Sequence, residues 1–115
     1  MSERNDRVLL IDMLESAEKV VRAMDGVTVD AFVKDDILRD ATVFRLQVIG
    51  EAAYKVTDPL KAKWPEVDWF KIQGLRHRIV HDYRNIDDAQ IHRITNKYVP
   101  PLVEQLKRIL EAGVE

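Results

Sequence analysis

The stretch Trp69-Phe-Lys-Ile-Gln-Gly-Leu-Arg-His-Arg-Ile-Val-His-Asp-Tyr83 has helical periodicity with polar groups on the face that should be buried. At about 100° per residue, Trp69, Ile72, Leu75, Ile79 and Val80 share one arc. Arg76 and Tyr83 fall in the same arc, about two turns apart. A guanidinium is rarely buried unless it is paired. The spacing therefore predicts a helix that aims a cation and a phenol at a core, or at a partner surface that acts as one. Function is to be sought there.

Outward from this stretch the chain reads as helical throughout. A first helix runs from about Asn5 to Met24, with Leu10, Leu14, Ala17, Val21 and Met24 in one stripe and Asp25-Gly26 as its stop. Thr28 to Lys34 reads as a short helical turn. A second long helix runs from about Asp35 to Val56. It carries two apolar stripes, one of Ile37, Ala41, Phe44, Val48 and Ala52 and one of Leu46, Ile49, Ala53 and Val56, which predicts a central position. Gly50 in its middle costs about 1 kcal/mol relative to Ala, a cost that close approach of another backbone would offset. Asp58-Pro59 ends this helix, and residues 59 to 67 read as a connector with one helical turn. Asp68 is a good N-cap for the stretch ending near Tyr83. Asp87 with Gln90 resembles a capping box that opens the last long helix, lined by Ile91, Ile94, Tyr98, Leu102, Leu106 and Ile109, kinked or broken at Pro100-Pro101 and closed by Gly113. The expectation is an all-α, up-and-down antiparallel bundle of four main helices, with residues 1–115 as a single domain.

Composition narrows the function. With 115 residues there is room for one core. Hydrophobic residues make up 46%, which argues against disorder. There is no cysteine, so disulfides, thiolate nucleophiles and cysteine zinc sites are excluded and a reducing cytoplasm is expected. The N-terminus lacks the apolar core of a secretion signal, and no apolar run approaches the roughly 20 residues of a membrane span. Net charge is −2, yet Lys71, Arg76, Arg78 and Arg84 against Asp82 make residues 71–84 locally basic, and local charge is what attracts a phosphate backbone.

Arg76, His77, His81 and Tyr83 concentrate the reactive chemistry. Arg binds phosphate through a permanently charged fork, and His exchanges protons near neutral pH. Together they could cleave RNA without a metal cofactor: His takes the 2′-OH proton as that oxygen attacks phosphorus, and Arg stabilises the developing charge. Arg76 and His81 lie about 140° apart on an ideal helix. They converge on one phosphate only if the helix ends before His81 or a second subunit contributes. His77 and His81 at i and i+4 also have the spacing of two metal ligands on one helix face, but no Glu lies between them and no third ligand is evident. No metal and no cofactor is expected. Glu51, amid apolar neighbours, should pair with Arg45 or Arg76 or sit half-exposed at a groove. Trp64 and Trp69 could stack on bases but read more simply as core anchors, and His92 as a surface residue.

Arg76-x-x-x-x-His81-x-Tyr83 resembles the R-x4-6-H motif, with its trailing Tyr, of HEPN domains of the HepT-like toxins. Leu46-Gln-Val-Ile-Gly50-Glu51-Ala52, Pro65-Glu-Val-Asp-Trp69, Gly74-Leu75-Arg76 and Ile86-Asp87 are similar to that family's surrounding signatures, so the resemblance covers nearly the whole chain. It implies a homodimer with both motifs in one cleft, and a metal-independent RNase toxin acting on RNA. The implied partner is a minimal nucleotidyltransferase antitoxin that adds AMP to the motif Tyr, here Tyr83. Arg76 and His81 would be catalytic, with His77 assisting where the family commonly has Asn. The other expectation is a non-catalytic helical dimer that serves to bind the nucleotidyltransferase.

Overall fold

The computed structural model describes residues 5–82 and 85–114. Among these residues the elements are all helices: α1 (Asp6–Met24), α2 (Val29–Lys34), α3 (Asp36–Lys55), α4 (Asp58–Lys63), α5 (Trp69–Asp82), α6 (Asp88–Lys97) and α7 (Val99–Ala112). The all-α expectation holds, with α2 and α4 as the short helical turns expected in the connectors.

Helix ends follow side-chain capping rules. The side chains of Asn5, Thr28 and Asp35 accept the N–H groups of Val8, Ala31 and Leu38 at 2.9, 3.1 and 3.0 Å. Gly26, at φ 72°, takes the left-handed conformation that turns the chain after α1. Pro59 sits in the first turn of α4, where its missing N–H costs nothing. Asp68 caps α5 through Lys71 N–H at 3.1 Å. Asp87 caps α6 through Ala89 N–H at 3.0 Å, but Gln90 does not complete a capping box. Its Oε1 accepts from Arg78 instead, at 2.9 Å.

Pairings at helix ends fix the topology. Thr57, after α3, donates its N–H and hydroxyl to Asp6, at the start of α1, at 3.0 and 2.6 Å. Thr42, early in α3, donates to the Met24 sulfur at the end of α1, at 3.7 Å. So α1 and α3 run antiparallel. Arg39, early in α3, pairs with Asp88 just beyond α5, and Gly50 meets Ile72 and Arg76, so α3 and α5 are antiparallel too. α7 packs along α1, with Lys107 4.0 Å from Glu18.

The core follows the stripes only in part. Leu10, Met13, Ala17, Leu46, Ala53, Leu106 and Ile109 are essentially sealed from solvent, and each large side chain so buried contributes about 1.5–3 kcal/mol. Trp69 is buried, with its indole N–H donated to the Trp64 carbonyl at 3.0 Å. Both tryptophans anchor the connector. The stripe of Leu46, Ile49, Ala53 and Val56 is buried, but the other stripe of α3 is not. Ile37 is 80% exposed and Phe44 55%, because α3 packs against α1, α5 and α2 and, among the described residues, no element covers these two side chains. Val80 is exposed for the same reason, at the edge of the arc that faces α3. The last long helix is not one kinked rod. It breaks at Tyr98, the shared cap of α6 and α7, two residues ahead of Pro100, because prolines suit the first turn of a new helix. His92 is half-buried rather than free on the surface: its Nε2 lies 2.6 Å from the Val27 carbonyl and its ring lies near Phe32.

Gly50 sets the α3–α5 distance. A Cβ built there would lie 2.5 Å from Arg76 Cβ, 3.0 Å from the Ile72 carbonyl oxygen and 3.1 Å from Arg76 Cα. These atoms belong to or adjoin the α5 backbone and cannot yield by a rotamer change. Gly50→Ala gains about 1 kcal/mol of helix propensity against roughly 1–3 kcal/mol of overpacking. The clash wins. The expected outcome is a lower urea midpoint at unchanged slope, a stability loss of up to about 2 kcal/mol; a midpoint at or above wild type would show that α5 moves away freely.

Candidate active site

α5 is held against α3 through Ile79, 4% exposed, and through the half-buried Ile72 and Leu75. That packing aims Arg76 at α3. Its Nε forms a close ion pair with Glu51 Oε2, and its guanidinium carbon lies 5.0 Å from the centre of the Tyr54 ring. Glu51 and Tyr54 are three residues apart on α3, next to Gly50, so one helical turn supplies the carboxylate, the aromatic face and the gap. The partner for Glu51 is therefore Arg76; Arg45 turns to the Phe44 ring, 5.4 Å away. The Arg76 side chain keeps 31% of its surface exposed. A planar guanidinium fixed at Nε leaves its terminal nitrogens free of that bond, suited to a phosphate.

The two histidines occupy another face. The helix continues through Asp82, past His81. Within one chain, Arg76 and His81 thus project about 140° apart, and of the two conditions set by the spacing, the early helix end is not met. What α5 does bring together is His77 and His81. Both are exposed, with ring centroids 4.4 Å apart and planes inclined at 49°. Asp82 accepts from Asn85 Nδ2 at 2.7 Å, which turns its carboxylate to the following segment. Tyr83 and Arg84 lie outside the described residues.

Glu51 was visible in the sequence as a carboxylate among apolar residues. Nothing in the periodicity marks Tyr54, although its place three residues after Glu51 puts it on the same helix side. Arg39 is a further positioning contact that periodicity could not reveal. Its Nε pairs with Asp88 and its Nη2 lies 3.5 Å from the Ile86 carbonyl, tying the start of α6 to α3. Among the described residues, no group of three or more His, Asp or Glu side chains is placed to hold a metal ion. No described helix is long and apolar enough to cross a membrane.

Residues 13–109 match the family model described as Ribonuclease HepT-like. The chain belongs to the ribonuclease HepT-like family. It is a HEPN-type domain, as the R-x4-H motif indicated. Among relatives, it is 30% identical over 107 residues to "Putative RNase MJ1380" of Methanocaldococcus jannaschii, covering 93% of this chain and 98% of that protein. It is 31% identical over 108 residues to "Putative RNase TTE0752" of Caldanaerobacter subterraneus subsp. tengcongensis, covering 94% and 96%. It is 22% identical over 107 residues to "Probable ribonuclease HepT" of Thermococcus cleftensis, covering 93% and 97%. No solved structure matches. At the level of the family, the activity is that of a ribonuclease.

The Glu51–Arg76 pair separates function from stability. Both side chains are about a third exposed, so as an ion pair it is worth at most about 1 kcal/mol. Glu51→Ala should change unfolding stability by no more than that. It should lower RNA cleavage at least about tenfold, because the guanidinium loses its anchor, with Glu51→Gln intermediate. Equal losses in both measurements, or none in cleavage, would remove Glu51 from the positioning role.

Proposed function

We propose that this HepT-like chain is a metal-independent endoribonuclease toxin that works as a homodimer in the cytoplasm. The observation that carries this reading is the split on α5: a guanidinium anchored by Glu51 and Tyr54 on one face, an exposed imidazole pair on another. A single copy cannot close both on one phosphate, whereas two copies related by a twofold axis can bring Arg76 of one to His81 of the other. The apolar side chains left bare on α3 and α5, Ile37, Phe44, Phe70 and Val80, supply surface for such an association.

In this mechanism His81 accepts the 2′-OH proton, and the oxygen attacks the adjacent phosphorus. Arg76 stabilises the charge on the phosphoryl oxygens. The bond to the 5′-oxygen breaks, that oxygen takes a proton with His77 assisting, and the products are a 2′,3′-cyclic phosphate and a 5′-hydroxyl. All proton movements use imidazoles, so EDTA should leave cleavage intact. Arg76→Ala and His81→Ala should each reduce it by the 10²-fold or more typical of losing a general base, and His77→Asn should cost less than either. Mixed subunits of Arg76→Ala and His81→Ala should regain part of the activity, since one cleft per mixed dimer is complete. Light scattering showing only a 13.4 kDa species, with no recovery on mixing, would sink the composite cleft. Intact RNA under all conditions would favour the second reading, in which the bare faces of α3 and α5 make this a non-catalytic dimer that binds a nucleotidyltransferase.

The proposed partner is a minimal nucleotidyltransferase antitoxin that transfers AMP to Tyr83. Tyr83 lies two residues beyond His81, and on the wheel it falls about 20° from Arg76. An adenylyl phosphate there would satisfy the Arg76 cation and fill the space an RNA phosphate needs. Co-expression with the nucleotidyltransferase should add mass in multiples of AMP, visible in the intact protein and lost in Tyr83→Phe. Undiminished neutralisation of Tyr83→Phe would instead mean inhibition by binding alone.

A further inference from the structure

We infer that His77 and His81 form a two-imidazole chelate for a zinc-class divalent ion, and that filling it switches the site off. The inhibitory half of this rests on the reading of His81 as the proton acceptor; the binding half does not. The two rings stand one turn apart on α5, both exposed, with centroids 4.4 Å apart. Two Zn–N bonds of ~2.05 Å at a tetrahedral angle need facing nitrogens ~3.3 Å apart, within reach of rings so placed after small rotations. Neither ring has a hydrogen-bond partner among the described residues, so no bond need be broken to bind. The third and last histidine is committed elsewhere, to the Val27 carbonyl.

The donor set decides which ion and how it acts. Imidazole nitrogen suits zinc, copper and nickel, not magnesium or calcium. No third His, Asp or Glu side chain among the described residues is placed to join the pair, so water completes the coordination sphere. Such an open site binds reversibly and is not a structural metal. It also differs from a catalytic centre. The ion takes the lone pair on His81 that would receive the 2′-OH proton, so occupancy subtracts a catalytic group and adds no needed one. Because the ligands bridge one turn, the ion also pins the C-terminal end of α5. The ribonuclease then needs no metal and is slowed by one.

The test is a titration of the chelator-treated protein with zinc chloride against a chromogenic competitor, for wild type, His77→Gln and His81→Gln. Circular dichroism would verify that both exposed substitutions leave the helices intact. The expected result is one zinc per chain, with affinity at least about tenfold weaker in each variant, since loss of even an outer-sphere partner costs that much. In wild type, cleavage should fall in step with occupancy and return on adding EDTA. Equal zinc affinity in all three proteins would overturn the site, and full cleavage at saturating zinc would overturn the switch. RNA left intact in EDTA marks failure of the ribonuclease reading, while the variant-dependent binding alone still supports the chelate.

Discussion

The absence of one Cβ at Gly50 is the constraint on which the rest of this molecule depends. It lets α5 approach α3 until Arg76 Cα and the Ile72 carbonyl lie against the α3 backbone. At that distance a guanidinium leaving α5 reaches a carboxylate at Glu51 and an aromatic ring at Tyr54. A wider spacing would leave Arg76 to hydrate and Glu51 to pair with Lys55, which already lies 3.9 Å away on the same helix. The helix-propensity cost of a mid-helix glycine is about 1 kcal/mol, and its structural return is one oriented cation.

That orientation is local, and the helices around it are held by separate devices. Thr57 and Asp6 clasp one end of the α1–α3 pair, Thr42 and Met24 the other. Arg39 and Asp88 fasten the chain that leaves α5 back to α3. The α3–α5 unit is thus braced at its middle by packing and at one end by an ion pair. α1 and α7 supply the sealed core behind it. His77 and His81 stand exposed on α5, and Glu51 lies at a groove that α3 shares with Leu9 and Asp12 of α1.

Much of this was legible in the sequence because periodicity and capping are local. The inward arc of Trp69, Ile72, Leu75 and Ile79 correctly placed Arg76 toward the bundle, and Asp68, Asp87 and Gly26 marked helix boundaries through their own backbone or side-chain chemistry. Periodicity says which residues share a face, not whether another element covers it. Ile37 and Phe44 share an apolar stripe with Val48 and Ala52, yet only Ala52 is fully buried. The same limit applies to Val80. His92 erred in the other direction: a polar residue beside a polar neighbour reads as surface, and only the fold brings the Val27 carbonyl to its ring. The break at Tyr98 shows a third limit. Pro100-Pro101 signalled a disruption, but whether proline bends one helix or starts another depends on what precedes it.

The separation of Arg76 from His81 has a consequence for how such a site can be controlled. An active site complete within one chain is always assembled, so control must come from blocking it. Here the cation is fixed by α3 and the imidazoles stand apart from it on a continuous helix. Under the dimer reading, catalysis depends on association as well as chemistry. Activity then rises with protein concentration near the dissociation constant and is uniform above it. A free chain carries both halves of the chemistry and neither completed cleft. Under that reading, the bare apolar residues of α3 and α5 and the charged groups of α5 belong to one device: the surface that would bring two copies together is the surface that would bring Arg76 to a histidine.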